Sequence, residues 1–472
     1  MSSCNTVLTG IAGLDKLITG FPRGGLITLS GNPGTGKTAL AGAFIYNGAL
    51  KYGEAGVYAS FLEDEERFYN FMAGFGLDFR SLKEKGLFKY LAIPTLFEPG
   101  TGISVADIVE TVENIDAKRL VIDSFTALSQ MFKSPPEARV FLHSLLSKIA
   151  RQMNCTTILI KEVPSEQSYE YGFEEFISDG VIQLRREIIE ERIFREIRIL
   201  KMRGSQVIEP IACMSLYNGF TVYPPMRIAK EYYKNKRFNP PLDPPGGYTT
   251  GIPDLDREIG GFPAGSTILM EVEPTLSLYE YACFSSPVRI SYVLRDRPTL
   301  VLPSGGVDWV DIVYLDQSYG VVEDKWRKYV RILIDVETNL ELPPNIKRID
   351  PFSPEEMIKE VLDFVNQFSI RNKQPPLVIL GMDRLAVKLK DAATDVAYFA
   401  SNMISSVGGL VIFFVKPVYP WMIERLAPIS DCHIRITKKY GRVIIYGIKP
   451  RTPFYVVEPT EDSLAPRLIP IV

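Results

Sequence analysis

Leu26-Ile-Thr-Leu-Ser30 followed by Gly31-Asn-Pro-Gly-Thr-Gly36-Lys37-Thr38 is the stretch that decides the fold of this 472-residue chain. An apolar run of strand length enters a glycine-rich loop, and a helical pattern from Thr38 to Tyr52 leaves it. That order satisfies G-x-x-x-x-G-K-[ST] in its required strand–loop–helix setting. The glycines let backbone N–H groups curl around phosphate oxygens, and the helix N-terminus adds partial positive charge. Asn32, Pro33, Gly34, Thr35, Gly36, Lys37, Thr38 and Ala39 are therefore expected to line a nucleoside triphosphate. Lys37 would reach its terminal phosphates and Thr38 would hold Mg²⁺. The blander alternative, a glycine-rich turn with an exposed lysine, does not account for the strand and helix on either side.

A phosphate loop needs an acidic partner at the end of a neighbouring strand. Arg119-Leu-Val-Ile-Asp123-Ser124 supplies one, so Asp123 is the expected second metal-shell residue with Thr38. An aspartate after an apolar run is often only a cap, and it is the pairing with the loop that gives it chemistry. Hydrolysis also needs a group that orients water. Glu63, Asp64, Glu65 and Glu66 follow the strand Gly56 to Phe61. Such a run can simply begin a solvated helix, since carboxylates favour a first turn. Glu63 lies closest to the strand end and is the first choice for water activation, with Asp64 the other.

The chain repeats itself. Thr9 to Gly31 and Thr250 to Val272 agree at 11 of 23 ungapped positions, where chance gives about two. The offset of 241 residues makes this a tandem duplication. Ala229 to Pro245 is charged and proline-rich and reads as the linker, so the expected domains are 1–228 and 246–472, joined by 229–245. Strand-length runs (Leu26 to Ser30, Gly56 to Phe61, Leu120 to Ile122, Thr156 to Ile160) alternate with helical patterns (Thr38 to Tyr52, Asp64 to Gly74, Ser104 to Ile115, Pro136 to Met153). Alternation of this kind predicts an α/β doubly wound, mostly parallel sheet, twice over. Gly180 to Arg185, Ile193 to Met202 and Phe220 to Tyr223 predict extra edge strands.

The second copy has lost the chemistry. The offset places Val272-Glu-Pro-Thr-Leu-Ser277-Leu278-Tyr279 over the loop, removing its glycines, lysine and threonine. Leu377-Val-Ile-Leu-Gly381-Met382-Asp383 lacks a carboxylate directly after the strand. Its tail persists: Ile429-Ser-Asp431 echoes Ile177-Ser-Asp179, and Lys449 and Arg451 echo Lys201 and Arg203. Sheet-edge packing is the preferred account of that persistence, binding of another anion the alternative.

Composition narrows the rest. Lys plus Arg number 53 against 56 Asp plus Glu, a formal charge of -3, which argues against a polybasic nucleic-acid binder. No apolar run reaches the roughly 18 residues a membrane span needs, and the opening Met1-Ser-Ser-Cys-Asn-Thr lacks the charged start of a signal peptide. A cytoplasmic setting is expected. Cys4, Cys155, Cys213, Cys283 and Cys432 are scattered and read as small core residues. His143 and His433 have no second ligand at metal spacing. Tyr232, Tyr233, Lys234, Lys236 and Arg237 mix aromatic and basic groups that can suit nucleic acid, although a linker clamping its own domains is preferred.

Several segments together resemble the KaiC family of RecA-like P-loop ATPases. They are TGIAGLDKLITGFPRGGLITLSGNPGTGKT, RLVIDSFTAL at 119–128, YGFEEFISDGVIQLRR at 171–186 and LKMRGS at 200–205. The resemblance covers residues 1 to 225 and implies two tandem RecA-like domains, ATP and Mg²⁺ as ligands, hexameric rings and nucleotide sites between subunits. In the family a Phe precedes two glutamates at the catalytic position. Phe61-Leu62-Glu63-Asp64 matches only the second, so slow turnover is expected. The resemblance also implies that Lys201 and Arg203 reach a neighbour's triphosphate as fingers do. A regulatory or signalling ATPase with a degenerate second domain and an unidentified protein partner is the leading reading, without kinase activity. A RecA/RadA-like DNA recombination accessory and an ATP-sensing scaffold with little turnover are its rivals.

Overall fold

A computed structural model of the chain describes residues 6–61, 63–93, 105–129, 136, 139–140, 142–143, 146–163, 172–234, 238–335, 341–370 and 373–472. It divides into two compact units. One is Met1–Pro225 with Tyr440–Arg442 and Pro470–Val472; the other is Met226–Lys439 with Val443–Ile469.

The first unit is built on β1 (Leu26–Gly31), α1 (Lys37–Tyr52), β2 (Gly56–Ser60), α2 (Glu65–Ala73), β3 (Phe88–Ala92), α3 (Val105–Asn114), β4 (Arg119–Asp123), β5 (Thr156–Glu162), α4 (Phe173–Ile177), β6 (Gly180–Ile189), β7 (Arg192–Met202), β8 (Ile211–Ser215) and β9 (Thr221–Tyr223). These strands form a nine-stranded sheet in the order β9-β8-β7-β6-β1-β5-β4-β2-β3. From β6 to β3 all pairs are parallel, whereas β7, β8 and β9 are added antiparallel. β1 is buried along its whole length because helices cover both faces. Ile27, Leu29 and Val121 pack on one side with Leu40 and Phe44 of α1. Leu26, Leu120 and Ile122 pack on the other with Ile108 and Val112 of α3. The expected α/β architecture is present. β3, whose apolar residues are interrupted by Lys89, and β8 were not among the expected strands. The helix expected at Pro136 to Met153 is described only in part, with Leu146–Gln152 helical.

In the second unit the sheet has ten strands: β10 (Ser266–Val272), β11 (Thr299–Leu302), β12 (Val330–Ile334), β13 (Ile346–Arg348), β14 (Leu377–Gly381), β15 (Leu410–Val415), β16 (Cys432–Lys439), β17 (Arg442–Lys449), β18 (Tyr455–Glu458) and β19 (Arg467–Pro470). Their order is β13-β12-β11-β14-β15-β10-β16-β17-β18-β19, the first sheet's order with β13 added at the parallel edge. α5 (Leu278–Leu294) follows β10 as α1 follows β1.

Each unit opens on a two-stranded antiparallel ribbon, Thr6–Val7 with Phe21–Pro22 and Gly247–Tyr248 with Phe262–Pro263. Within the repeated T-G-I-x-x-L-D, Asp15 accepts from Thr9 N and Oγ1 at 2.8 Å and from Gly10 N at 2.9 Å. Asp256 accepts from Thr250 N at 2.7 Å and from the Thr249 hydroxyl. The strongest identity between the copies is thus a turn-closing carboxylate. Asp179 and Asp431 likewise share a task, accepting from Leu26 N at 3.1 Å and Thr267 N at 2.8 Å at the start of each central strand.

The stretch expected to link the copies is packed into the second unit. Tyr233 is fully buried and donates to Tyr279 O at 2.6 Å, and Phe238 packs edge-on against Tyr319. Its aromatic rings serve a core, and Lys236 and Arg237 lie outside the described residues. Cys155, Cys213, Cys283 and Cys432 are buried thiols, as expected of core residues; Cys4 lies outside the described residues. His433 is buried with Nε2 2.5 Å from Glu271 Oε1, while His143 is exposed. Among the described residues no helix is long and apolar enough to cross a membrane.

Candidate phosphate-binding site

The loop leaves β1 at Gly31 and enters α1 at Lys37 through Gly36, whose φ of 100° lies in the left-handed region. A Cβ there would also come within 2.9 Å of a Leu216 methyl, which could move aside, so it is the backbone that requires glycine. Thr35 turns inward, its hydroxyl donating to Asn32 O at 2.8 Å, and Ala39 is buried in the core. Those two contribute backbone to the loop surface, whereas Pro33 and Gly34 are exposed. No side chain caps the N-terminus of α1 and no acid occupies its first turn. Its first N–H groups are therefore available to an anion.

Lys37 is buried, and its Nζ donates to Gly31 O at 2.8 Å and Asn32 O at 2.9 Å. Burial holds its pKa below the usual lysine value, with Glu162 and Asp123 acting against that shift. Carbonyl oxygens are weak partners for an ammonium, so a phosphate would compete for it on favourable terms. Thr38 Oγ1 lies 3.4 Å from Asp123 Oδ2, and Tyr58 OH donates to the same oxygen at 2.6 Å. Burial raises the Asp123 pKa, while the Tyr58 hydrogen bond, Lys37 and Thr38 oppose the rise. A hydroxyl and a carboxylate converging in this way are hard oxygen donors suited to Mg²⁺, which keeps water and substrate oxygens as its other ligands. No cluster of three or more His, Cys, Asp or Glu able to hold a metal occurs among the described residues.

Glu63 lies just beyond β2. Its backbone is held by Ser60 Oγ at 3.2 Å and by Tyr90 OH, which donates to Glu63 O at 2.7 Å. Its carboxylate has Arg67 3.9 Å away, a loose ion pair that leaves it able to turn. Asp64 caps α2, accepting from Arg67 N at 2.8 Å, which gives it the structural task. Leu62 lies outside the described residues. Sequence reasoning missed Glu162. The register pairs it with Gly31 at the end of β5, one strand from the loop, and Thr126 Oγ1 accepts from its backbone N–H at 2.9 Å.

Lys201 and Arg203 are not brought to this site. Strand β7 runs antiparallel to β6, so its C-terminal end pairs Met202 with Gly180, beside Ile27 at the start of β1. The phosphate loop is at the other end of that strand. Lys201 Nζ donates to Glu175 O at 2.9 Å and Phe176 O at 3.1 Å, and Arg203 is exposed. Near the loop stands a different cation: buried Arg195 donates to Gly34 O at 2.7 Å. It was not legible because the pairing spans 161 residues.

In the second unit the equivalent helix start is closed. Ser277 caps α5 by accepting from Glu280 N, and Glu280 accepts in return from Ser277 N at 2.9 Å, a reciprocal box that takes up two N–H groups and places a carboxylate at the helix start. Lys438 Nζ holds Glu280 at 2.8 and 2.9 Å. Asp383 stands two residues beyond the end of β14 and accepts from Ser304 Oγ at 2.6 Å and Gly305 N at 2.9 Å. Lys416 Nζ lies 2.8 Å from the same carboxylate. A cavity of about 300 Å³ at these strand ends is lined by Val272, Glu273, Leu276, Tyr281, Gly305 and Lys416. Lys449 Nζ donates to Ser430 O at 2.7 Å, a packing contact like that of Lys201.

Comparison with known proteins bears on the first unit. The family model for the KaiC ATPase matches residues 7–225. The chain is 32% identical over 227 residues to the circadian clock oscillator protein KaiC of Parathermosynechococcus lividus, covering 46% of this chain and 42% of that protein. It is 34% identical over 218 residues to the UPF0273 protein PH0284 of Pyrococcus horikoshii, covering 42% of this chain and 85% of that protein. Among solved structures it is similar to the KaiC-like protein PH0186 of Pyrococcus horikoshii, at 35% identity, with 47% of this chain and 100% of that chain covered and a TM-score of 0.42. The chain thus spans less than half the length of the clock protein it matches.

Proposed function

The chain belongs to the KaiC family of ATPases, and we propose that it is a nucleotide-dependent regulatory ATPase with one working site per chain, in the first unit. The observation that carries this reading is the contrast between two equivalent helix starts. α1 offers uncapped N–H groups and a lysine held only by carbonyls, whereas α5 is closed by its own Ser277–Glu280 box.

ATP would bind with its phosphates on residues Asn32 to Ala39. Lys37 would leave Gly31 O and Asn32 O for the terminal phosphates, and Thr38 and Asp123 would hold Mg²⁺. That ion, when bound, supplies neutralisation of the charge that builds on the phosphate oxygens. Glu63, freed from Arg67, would orient the attacking water and take up its proton. Turnover would be slow, because a single glutamate stands where the family has a pair.

Lys201 and Arg203 lie a strand length from their own phosphate loop, which supports their acting on a neighbouring subunit's triphosphate in a homo-oligomeric ring, hexameric as the resemblance implies. The second unit would serve assembly or a protein partner rather than nucleotide. Protein kinase activity is not expected of it, and a cytoplasmic location is.

The test compares ATP hydrolysis by the wild type and Glu63→Gln. A fall of about 10²- to 10⁴-fold is expected, with ATP affinity retained. Equal rates near zero in both would make the protein a nucleotide sensor instead. Stimulation by single-stranded DNA that weakens steeply with salt would favour the recombination reading.

A further inference from the structure

We propose that Lys161 is a positioning residue for Lys201, one of the two residues assigned above to a neighbour's site, because it fixes the short helix on which Lys201 rests. The inference rests on the inter-subunit reading given above and concerns how Lys201 is held.

Lys161 is the penultimate residue of β5 and is paired in register with Ser30, directly before the phosphate loop. Its ammonium lies 2.7 Å from Glu174 Oε1 and 2.7 Å from Glu175 Oε1. The three side chains are 16%, 7% and 1% exposed, so these are buried bonds rather than surface pairs. Both glutamates belong to α4, a helix of five residues. So short a helix has almost no stability of its own, and its place depends on what ties it down. Lys161 secures its first turn. Beyond its last turn Ser178 Oγ meets Thr28 Oγ at 2.6 Å.

The same helix presents its carbonyls to Lys201. Glu175 O and Phe176 O accept from Lys201 Nζ, so the residue that binds Lys161 through its carboxylate binds Lys201 through its backbone. A bridge therefore begins beside one subunit's phosphate loop and ends on Lys201, which under the inter-subunit reading leaves these carbonyls for the next subunit's triphosphate. Burial works against the Lys161 charge, yet the two carboxylates carry its pKa above the usual lysine value. Its positive charge is what keeps two buried glutamates together. Without it they repel, α4 shifts, and Lys201 is displaced. A displacement of about 1 Å can cost on the order of 10²-fold in a positioned reaction.

The expected phenotype is specific. Lys161→Met should bind ATP within about threefold of the wild type and lose about 10- to 100-fold in turnover. Lys161→Arg should restore most of it. The deciding experiment co-expresses differently tagged subunits. Lys37→Ala subunits have a dead loop but an intact finger platform; Lys161→Met subunits have the reverse. Mixed rings should hydrolyse ATP faster than either parent, because Lys37→Ala neighbours supply the platform. Rings of Lys201→Ala with Lys37→Ala are the control for fingers acting between subunits. If the control complements and the Lys161→Met mixture does not, Lys161 serves its own site and the inference falls alone. If neither complements, the inter-subunit reading falls with it. Should Lys161→Met fail to fold, Lys161→Gln with Glu174→Gln keeps the net charge of the cluster and enters the same mixture.

Discussion

Arg119 offers a quantitative test of how the first unit is held together. It begins β4, the strand that ends in Asp123, and its side chain is fully buried. The guanidinium donates to Glu54 at 2.8 Å, to Phe44 O at 2.7 Å, to Leu8 O at 2.8 Å and to Thr9 O at 3.1 Å. One side chain thus joins the opening ribbon, α1 and the approach to β2. Lysine cannot replace it, since a point charge lacks the fork of donors. Arg119→Met keeps the stem and its packing on Phe44 but takes a donor from three carbonyls and the near partner from the Glu54 carboxylate. Removing one partner of a buried pair costs about 3 to 5 kcal/mol. Glu54 is 16% exposed and has Arg23 at 3.9 Å, which favours the lower end of that range. At about 2 to 4 °C per kcal/mol for a unit of this size, the transition should fall by about 6 to 12 °C. The assay is calorimetry of the full chain, following the transition that shifts upward with ATP. Glu54→Gln added to Arg119→Met should recover part of the loss, because no uncompensated charge remains. A transition within about 2 °C of the wild type, or no recovery in the double variant, would refute the reasoning.

Three further outcomes follow from the structure. Lys37→Ala should reduce ATP bound at saturation from one per chain to none by equilibrium dialysis; residual binding would place nucleotide in the second unit. Ser277→Ala should cost the second unit about 1 kcal/mol by loss of a cap, seen in its melting transition, and should create no ATP site, since Lys416 and Asp383 remain paired. Burial pushes the Cys155 and Cys432 thiols up to about 12, so in the native protein at pH 8 both should resist alkylation, read by peptide mass spectrometry, and should react once unfolded. Rapid native labelling of either would contradict its burial.

What could be read from the sequence was what is local. Gly31 to Thr38 carries its strand, turn and helix within thirty residues, and Asp123 follows an apolar run that could be little else. The duplication was legible because turn-closing residues such as Asp15 and Asp256 recur at one offset. Bonds between distant segments were not legible. Lys161 with Glu174 and Glu175, Arg195 with Gly34, and Lys416 with Asp383 are set by which strand ends become neighbours, and periodicity says nothing of that. Proline and charge between 229 and 245 suggested a solvated connector, yet two aromatic rings sufficed to bury part of it. Lys201 and Arg203 were recognised by type, while their separation from the phosphate loop followed only once the antiparallel course of β7 was seen.

The twin carboxylates at Asp15 and Asp256 have a bearing on how such tandem chains are interpreted. Likeness between the halves resides in what keeps each frame closed, and a module can therefore shed its chemistry at little cost to its shape. Similarity scores across the two halves measure shared masonry. Whether a given half still works must be asked of the first turn of one helix, and there the halves of this protein differ: α1 starts without a side-chain cap and α5 starts on the Ser277–Glu280 box.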